Sequence, residues 1–326
     1  MDMYNASQLL EKINAFIAAL DYKRPPVGLY EPVEYTLALG GKRIRPVLML
    51  MAYNLYKEEV DDILFPAAAI ETYHNYTLLH DDLMDKADLR RGNPTVHKKW
   101  DENTAILSGD TMLVLAYQMM CRCPEPYLKT VMDIFNKTAL EIGEGQQYDM
   151  DFETRNDVAE EEYLEMIRLK TSVLLAASMQ IGAVQAGASP EDARYLYDFG
   201  LQLGLAFQLQ DDYLDVYGDP AVFGKRVGGD ILCNKKTYML INALQRANKE
   251  QREELERWIA AVDYNPEEKV RAVTALYDAI GIKELCHRKI ESYFQSAEAC
   301  LDKVAVGDAR KQELRNFAHS LMGRKV

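Results

Sequence analysis

Three aspartates crowd into one short stretch, HDDLMDKADLRR, at Asp81, Asp82 and Asp85. Residues four apart lie on one face of a helix, so Asp81 and Asp85 point the same way with Asp82 beside them. Like charges this close require a cation or water between them. Such carboxylates suit Mg²⁺, which binds one or two of them, keeps several waters and takes further ligands from phosphates. The arginine pair that follows, Arg90 and Arg91, suits phosphate oxygens because a guanidinium donates two parallel hydrogen bonds.

The same spacing recurs in QLQDDYLD, at Asp211, Asp212 and Asp215. Gln208 precedes them by three, four and seven residues, so all four side chains share one helical face. A single acidic triplet is more often a solvated helix face than a site. Both triplets, however, follow largely apolar runs, IETYHNYTLL and FGLQLGLAFQL, and solvated faces do not begin in this way. The repeated triplet therefore predicts two metal-binding helices.

A basic turn, GKRIRP, brings Lys42, Arg43 and Arg45 to the start of another predicted helix. Pro46 fits a first helical turn, where its missing N–H has no partner to lose. The helix dipole disfavours cations at this end unless an anion binds both the basic side chains and the free N–H groups. The turn is therefore either an anion site or a solvated basic surface. Lys170, set among apolar neighbours, is likewise costly to bury without an anion.

The segments around these residues have helical apolar spacing, and no stretch alternates convincingly as a strand does. Helices are predicted over about 6–20, 33–39, 66–85, 100–120, 127–149, 163–184 and 189–216, with a loop over 88–97 and amphipathic helices after Thr237. No linker is long enough to divide the chain. We predict an all-α fold class, with residues 1–326 forming one domain, a single large helical bundle around a central active-site cavity.

Composition restricts the partners. A net charge of −13 argues against nucleic acid or an anionic membrane surface as the main partner. No apolar run is long enough to span a bilayer, so no transmembrane segment is expected. The five cysteines are odd in number and lack zinc spacing, which favours a reducing cytoplasm.

Taken together, the two DDxxD motifs, the upstream GKRIRP and the DLRRG after the first triplet resemble the trans-type isoprenyl diphosphate synthases, the family of farnesyl and geranylgeranyl diphosphate synthases. The resemblance runs from about Gly40 to Thr237. It implies a homodimeric prenyltransferase that condenses isopentenyl diphosphate with an allylic diphosphate (dimethylallyl, geranyl or farnesyl) by ionisation, condensation and elimination. It also implies about three Mg²⁺ ions per site, and a farnesyl or geranylgeranyl product.

The resemblance implies a role for each matching residue. Isopentenyl diphosphate would be bound by Lys42, Arg45, His74 and Arg91. The catalytic set would be Arg90, Lys170, Thr171, Gln208 and Lys225, in which Arg90 and Lys170 bind the allylic diphosphate and Thr171 lies beside the developing positive charge. The metals would be held by Asp81, Asp85 and Asp211, with Asp82, Asp212 and Asp215 close by, supported by the Gln146 and Asp149 of a GQxxD element.

Two family lysines that approach the metal and the diphosphate match Lys225 and Lys235. The chain reads CNKKT where the family more commonly has EGKKT, with Cys233 and Asn234 in place of Glu and Gly. Whether Lys235 or Lys236 makes the contact is open on this evidence.

Chain length is expected to depend on the residues just before the first triplet. Tyr76 and Thr77 lie five and four residues before Asp81, and each helical residue rises about 1.5 Å, which places Tyr76 about 7.5 Å from the metals and Tyr73 a turn beyond. A tyrosine ring there would be a floor for the growing tail. The alternative is that Tyr76 only packs against a neighbouring helix.

Two other functions share part of this pattern. A class I terpene cyclase has the same fold and first triplet, but its second metal motif is more widely spaced and it has no use for Lys42, Arg45 and His74. A catalytically silent regulatory subunit would be expected to have lost a triplet, and this chain retains both.

Overall fold

The computed structural model describes residues 3–219 and 227–323, and these are almost wholly helical. The early helices are α1 (Ala6–Ala18), α2 (Val27–Ala38), α3 (Ile44–Asn54), α4 (Leu64–Met84), α5 (Val96–Lys99) and α6 (Glu102–Met120). The middle ones are α7 (Glu125–Thr154), α8 (Glu160–Ile167), α9 (Val173–Gln185) and α10 (Pro190–Tyr217). The last are α11 (Gly229–Leu232), α12 (Tyr238–Arg246), α13 (Lys249–Ala260), α14 (Pro266–Ile280), α15 (Ile282–Asp302) and α16 (Asp308–Met322). The predicted all-α fold class is confirmed.

The chain divides into two compact units. The first contains the chain up to Asn136, together with Ala177–Tyr197 and Val304–Leu314. The second contains Lys137–Ala176, Asp198–Lys303 and the residues from Arg315 onwards. That all of this is one domain stays a prediction.

Helices α3 and α4 form the buried centre of the first unit. Every residue from Pro46 to Asn54 is buried, and so is the segment of α4 from Pro66 to Tyr73. Helix α4 packs along α6 and α3. From His74 onwards α4 becomes more exposed, and Met84 and Asp85 are open to solvent. The first triplet therefore lies at the end of a helix that a dense apolar core holds in place.

The second unit has its own apolar core, built from helices that are far apart in sequence. Its most buried members, one each from α8, α10, α12, α14 and α15, are Tyr163, Leu209, Met239, Tyr277 and Ile282. Helix α10 begins as predicted, since the Ser189 hydroxyl accepts the N–H of Asp192 at 3.1 Å and Pro190 is the first helical residue. The second triplet lies near the other end of this helix.

Three local predictions were wrong. The predicted helix over 33–39 begins six residues earlier, since α2 spans Val27–Ala38. The predicted loop over 88–97 contains a small antiparallel hairpin, in which Leu89–Arg90 pairs with Asn93–Pro94, and also the short helix α5. Arg91 and Gly92 both have positive φ, 53° and 77°, which is the backbone that a two-residue hairpin turn needs. The predicted helix over 163–184 is interrupted by a π-helical turn, Arg168–Ser172.

No helix in the described residues is both long enough and apolar enough to serve as a membrane span.

Candidate active site

The first triplet is anchored by an ion pair at its middle member. Asp82 is buried, whereas Asp81 is half-buried and Asp85 exposed. The guanidinium of Arg90 donates through Nε to both oxygens of Asp82 at 3.1 Å and through Nη2 to Oδ1 at 2.5 Å. The hairpin thus turns Arg90 back onto the helix that ends just before it. Asp82 is therefore held as the partner of an arginine, and Asp85 is the exposed member of the triplet.

Arg45 and His74, both predicted from the sequence, are brought together. Arg45 Nη1 lies 3.1 Å from His74 Nε2. Burial lowers the pKa of His74 well below its ordinary value, and the positive charges of Arg45, Arg91, Arg90 and Arg43 lower it further. The imidazole is therefore neutral at pH 7, and its Nε2 accepts the hydrogen bond that the guanidinium donates.

The other residues of the basic turn have distinct surroundings. Arg43 is 5% exposed, has a φ of 48°, and donates to the Glu71 carboxylate at 2.7 Å and to the Leu37 carbonyl at 2.6 Å. It is therefore a structural ion pair that fixes the start of α3. Lys42 is exposed. The residue types alone did not distinguish Arg43 from Lys42 and Arg45. Only the resemblance did so, because it implies a substrate-binding role for Lys42 and Arg45 and none for Arg43.

Arg91 folds back over the glycine pair that precedes this turn. Its guanidinium donates to the carbonyl of Gly40. A Cβ at Gly41 would lie 2.6 Å from the Arg91 Cζ, so any side chain there would displace the guanidinium. Gly41 also has a φ of 125°, which L side chains rarely adopt. The glycine therefore leaves the space that the Arg91 guanidinium occupies.

Aromatic rings surround the residues that were predicted to set chain length. The Tyr76 ring lies 5.4 Å from that of Tyr73 and 4.9 Å from that of His80. The Tyr73 ring contacts Phe135 of α7 at 5.3 Å, and Phe135 contacts Tyr117 of α6 at 4.9 Å. Thr77 is half-buried, and its hydroxyl donates to the His74 carbonyl at 2.8 Å. Tyr76 thus lies between His80 and Tyr73 in a series of ring contacts that continues to Phe135 and Tyr117 within the first unit.

The second triplet is anchored by neutral donors. Buried Asp212 accepts a hydrogen bond from the Tyr163 hydroxyl at one oxygen and from Gln208 Nε2, at 3.0 Å, at the other. The Thr171 hydroxyl in turn donates to Gln208 Oε1 at 3.0 Å. Three predicted residues therefore form one directed chain. Tyr163 is fully buried and was missed, because no motif marks a tyrosine 49 residues away as the partner of Asp212.

Asp215 fixes the segment after α10. Its Oδ2 accepts the backbone N–H of Asp230 at 2.9 Å, and its carbonyl accepts that of Gly228 at 2.6 Å. Asp230 itself was also missed. Burial raises the pKa of Asp230 to about 7, with contributions from Asp212, Asp215 and Asp149, while Lys235 lowers it. The sequence feature that could have identified Asp230 is its position between two loop lysines, Lys225 and Lys235, in GKRVGGDILCNKK.

Lys170 lies on the π-helical turn and pairs with Asp149. Its Nζ is 2.7 Å from Asp149 Oδ2, and both side chains are about a quarter exposed. Single π turns inside α-helices are frequent at functional sites, because the extra residue turns neighbouring side chains towards the same region. Asp149 of the GQxxD element therefore pairs with Lys170 within the second unit, a contact that the sequence did not predict.

The loop lysines differ in their surroundings. Lys225 lies outside the described residues. Lys235 is close enough to lower the pKa of Asp212 and that of Asp230. Lys236 Nζ instead points to the Glu153 carbonyl, at 3.5 Å. Of the two lysines that the sequence left open, Lys235 has its charge nearer the second triplet.

Within residues 3–219 and 227–323, no three His, Cys, Asp or Glu side chains converge as a ready-made metal site. The donor set nevertheless fits Mg²⁺, which takes few protein carboxylates and completes its shell with water and phosphate. Asp82, Asp212 and Asp215 already have protein partners that fix their orientation. Such supporting carboxylates are typical neighbours of metal ligands.

Known proteins are similar to this chain both in sequence and in fold. Residues 26–277 match the model of the polyprenyl synthetase family. The geranylgeranyl diphosphate synthase of Methanosarcina mazei is 44% identical over 237 residues, which cover 71% of this chain and 73% of that protein. A crystal structure of geranylgeranyl pyrophosphate synthase superposes with a TM-score of 0.93 and 43% identity, covering 99% of this chain and 100% of that one. The geranylgeranyl pyrophosphate synthase of Corynebacterium glutamicum, solved with isoprenyl diphosphate and magnesium, gives a TM-score of 0.85 at 28% identity, covering 100% of both chains. The chain belongs to the polyprenyl synthetase family, and it is an enzyme that transfers prenyl groups.

Proposed function

We propose that this protein condenses isopentenyl diphosphate with an allylic diphosphate and uses both aspartate triplets to hold Mg²⁺ as its cofactor. The observation that carries the proposal is the arrangement around the triplets. Each lies near the end of a long helix, and each has its middle aspartate fixed by a partner, Arg90 for Asp82 and Tyr163 with Gln208 for Asp212. Cationic side chains stand beside both.

Substrate binding follows from these residues. Arg45 and neutral His74, with Lys42 and Arg91, would bind the diphosphate of isopentenyl diphosphate, since guanidinium groups donate in pairs to phosphate oxygens. Arg90 and Lys170 would bind the allylic diphosphate, with the loop lysines Lys225 and Lys235. Both Arg90 and Lys170 are partly exposed while paired with carboxylates, so each can donate to a phosphate as well.

Chemistry begins when the allylic carbon–oxygen bond breaks and negative charge develops on the departing diphosphate. Asp81, Asp85 and Asp211 would hold magnesium, which would contribute part of the stabilisation of that charge. Preorganised cations such as Lys170 and Arg90 supply the rest, because they need no reorganisation as the charge appears. The Thr171 hydroxyl, which donates to Gln208, leaves its oxygen lone pairs available to a neighbouring carbocation. The double bond of isopentenyl diphosphate then attacks, and a proton is lost.

A direct assay tests the proposal. Purified protein is incubated with Mg²⁺ and dimethylallyl, geranyl or farnesyl diphosphate, each with and without isopentenyl diphosphate, and the dephosphorylated products are identified by gas chromatography. We expect longer prenyl alcohols only when both substrates are present, and none in EDTA. A product from the allylic substrate alone would indicate a cyclase. The absence of any product under all conditions would indicate a silent subunit.

The product is expected to be geranylgeranyl diphosphate, with farnesyl diphosphate as the alternative. The support is the ring of Tyr76, which stands five residues before Asp81 and is backed by Tyr73 and Phe135. The relatives named above as geranylgeranyl diphosphate synthases agree with this choice.

Removing the outer rings should lengthen the product. Tyr76→Ala opens the space in front of Tyr73, and the double variant with Tyr73→Ala opens a further turn of α4, so we expect products at least one isoprene unit longer. Product distribution by chromatography is the measurement, with Tyr195→Ala, near the start of α10, as a control. A double variant with normal activity and unchanged products would place the floor elsewhere. A cytoplasmic location and a homodimer remain predictions.

A further inference from the structure

The loop that carries Lys235 and Lys236 is tied to the protein through Asn234. Asn234 has a φ of 52°, a left-handed conformation that asparagine tolerates better than most residues. Its Nδ2 donates to the Ile259 carbonyl at the end of α13, at 3.1 Å, and its Oδ1 accepts from Lys269 Nζ of α14, at 2.7 Å. Both hydrogen bonds of this one side chain therefore connect the loop to the α13–α14 pair.

Lys269 is an unusual residue to find in this position. It is 1% exposed, and burial lowers its pKa. Its other contact is the ring of Tyr264, 4.4 Å from Nζ, and the Tyr264 hydroxyl donates to the Leu232 carbonyl at 3.2 Å. Within the part of the chain that the structure describes, both partners of the ammonium group are uncharged. Burying a cation against uncharged groups near the start of a helix is unfavourable, so packing alone does not explain a lysine here.

Backbone hydrogen bonds also fix Lys235, the residue that follows Asn234. The N–H of Lys235 donates to the Asp230 carbonyl at 2.9 Å, and the N–H of Thr237 donates to the Lys235 carbonyl at 2.8 Å. The conformation of Asn234 therefore sets the direction in which the Lys235 side chain leaves the loop. The positive charge of Lys235 lowers the pKa of Asp212 and that of Asp230, whereas Lys236 Nζ faces the Glu153 carbonyl.

We propose that Lys269 is a positioning residue, which holds Asn234 in its left-handed conformation and so directs Lys235 towards the diphosphate. This inference rests on the proposed function. This chain has Cys233 and Asn234 where the family that it resembles more commonly has Glu and Gly. A glycine would adopt the left-handed conformation freely, whereas here the buried Lys269 holds the asparagine in it.

The test is a set of double-mutant cycles read by binding. Titration calorimetry measures the affinity for inorganic diphosphate in the presence of Mg²⁺, for Lys269→Met in three backgrounds: wild type, Lys235→Met and Lys236→Met. Methionine retains the apolar length of the side chain and removes the ammonium group. We expect Lys269→Met to weaken binding by about 5-fold or more in the wild-type and Lys236→Met backgrounds, and to have little effect once Lys235 is gone, because residues that act through one another are not additive.

The same series shows what would overturn the inference. An equal loss of affinity in all three backgrounds, or a lowered Tm with unchanged diphosphate affinity, would make Lys269 merely structural. Should Lys269→Met fail to fold, Asn234→Ala removes the same hydrogen bond together with a side chain that tolerates the left-handed backbone, and it is judged by the same criteria. Wild-type protein that neither binds diphosphate with Mg²⁺ nor elongates would refute the proposed function instead.

Discussion

The two aspartate triplets have the same spacing but are held by different chemistry. In the first, buried Asp82 is bound by a cation, Arg90. In the second, buried Asp212 is bound by uncharged groups, the Tyr163 hydroxyl and the Gln208 amide. Burial raises the pKa of Asp212 above its ordinary value, and the opposing effects of Lys235, Tyr163 and Gln208 do not cancel it. One spacing in the sequence therefore produces two electrostatic environments.

The surroundings extend this difference. Four arginines act together on His74 in the first region, where they lower its pKa. In the second, burial raises the pKa of Asp230, Lys235 opposes that effect, and three carboxylates, Asp212, Asp215 and Asp149, raise the pKa further. The first region therefore supplies clustered cations for an anion, whereas the second is rich in carboxylates whose charge a bound cation would offset. This explains how a chain with a net charge of −13 can bind diphosphates.

The largest effect should come from removing the first aspartate of either triplet. Asp81→Ala or Asp211→Ala would remove one of the proposed metal ligands, and single losses of this kind cost about 2.7–4 kcal/mol, or about 10²–10³ in turnover. Helix content by circular dichroism should not change. Asp133→Ala, which removes an exposed carboxylate paired with Lys129, is the control and should keep full activity. Full turnover in EDTA would contradict the metal role of both triplets.

A selective effect is expected from the arginines of the first region. Arg45→Ala should raise the KM for isopentenyl diphosphate by about 10–100-fold, since a hydrogen bond to a charged group contributes about 1.5–3 kcal/mol. The KM for the allylic substrate should change little. Arg288→Ala, on the exposed face of α15, provides the control. Equal changes in the two constants would mean that the two substrate sites are misassigned.

Local sequence features predicted the helices that carry the triplets. The apolar spacing and the Ser189–Pro190 start placed α4 and α10 within a few residues of their observed ends. The ion pair between Arg90 and Asp82 could also have been predicted, because Arg90 follows Asp82 by only eight residues. These features depend on contacts between near neighbours in the chain, which sequence patterns describe well.

The features that sequence reasoning missed depend on contacts between distant segments. Tyr163 reaches Asp212 from a separate helix, and Lys269 reaches Asn234 from 35 residues away. The π-helical turn at Arg168–Ser172 is equally hidden, because its residues have the apolar spacing of an ordinary helix. A Cβ at Gly204 would lie 2.7 Å from the Ser172 Cα, so α10 packs closely against this turn, and no propensity in the turn itself shows that.

Tyr163→Phe sharpens the comparison, because it removes a single hydroxyl from the second triplet. Asp212 would keep one of its two neutral donors, and leaving a buried acceptor unsatisfied costs about 1–3 kcal/mol. We expect a lower free energy of unfolding and about 10-fold weaker binding of inorganic diphosphate with Mg²⁺. Tyr217→Phe removes a comparable hydrogen bond to a surface carboxylate, Asp278, and should leave binding unchanged. Identical behaviour of the two variants would show that Tyr163 does not orient the triplet.

The smallest expected effect is on stability, and its sign should differ between substitutions of the two middle aspartates, Asp82 and Asp212. Asp82→Asn breaks the ion pair with Arg90, and because that arginine is 31% exposed the loss of stability should be about 1 kcal/mol or less at pH 7.5 in EDTA. Asp212→Asn removes a carboxylate whose ionised form the fold disfavours. It should therefore raise Tm at the same pH, although the enzyme loses activity.

The pH dependence of the Asp212→Asn effect tests its cause. A pKa that is higher in the folded state than the ordinary 3.8 means that wild type loses stability as the pH rises through the folded pKa of Asp212. Below 3.8 the carboxyl is protonated in both states, and the disadvantage of wild type disappears. The Tm of Asp212→Asn minus that of wild type should thus be positive at neutral pH and shrink as the pH falls towards 4. A difference that is negative at neutral pH, or that grows on acidification, would show that Asp212 is stabilised as the ion and that both triplets are held by the same electrostatics.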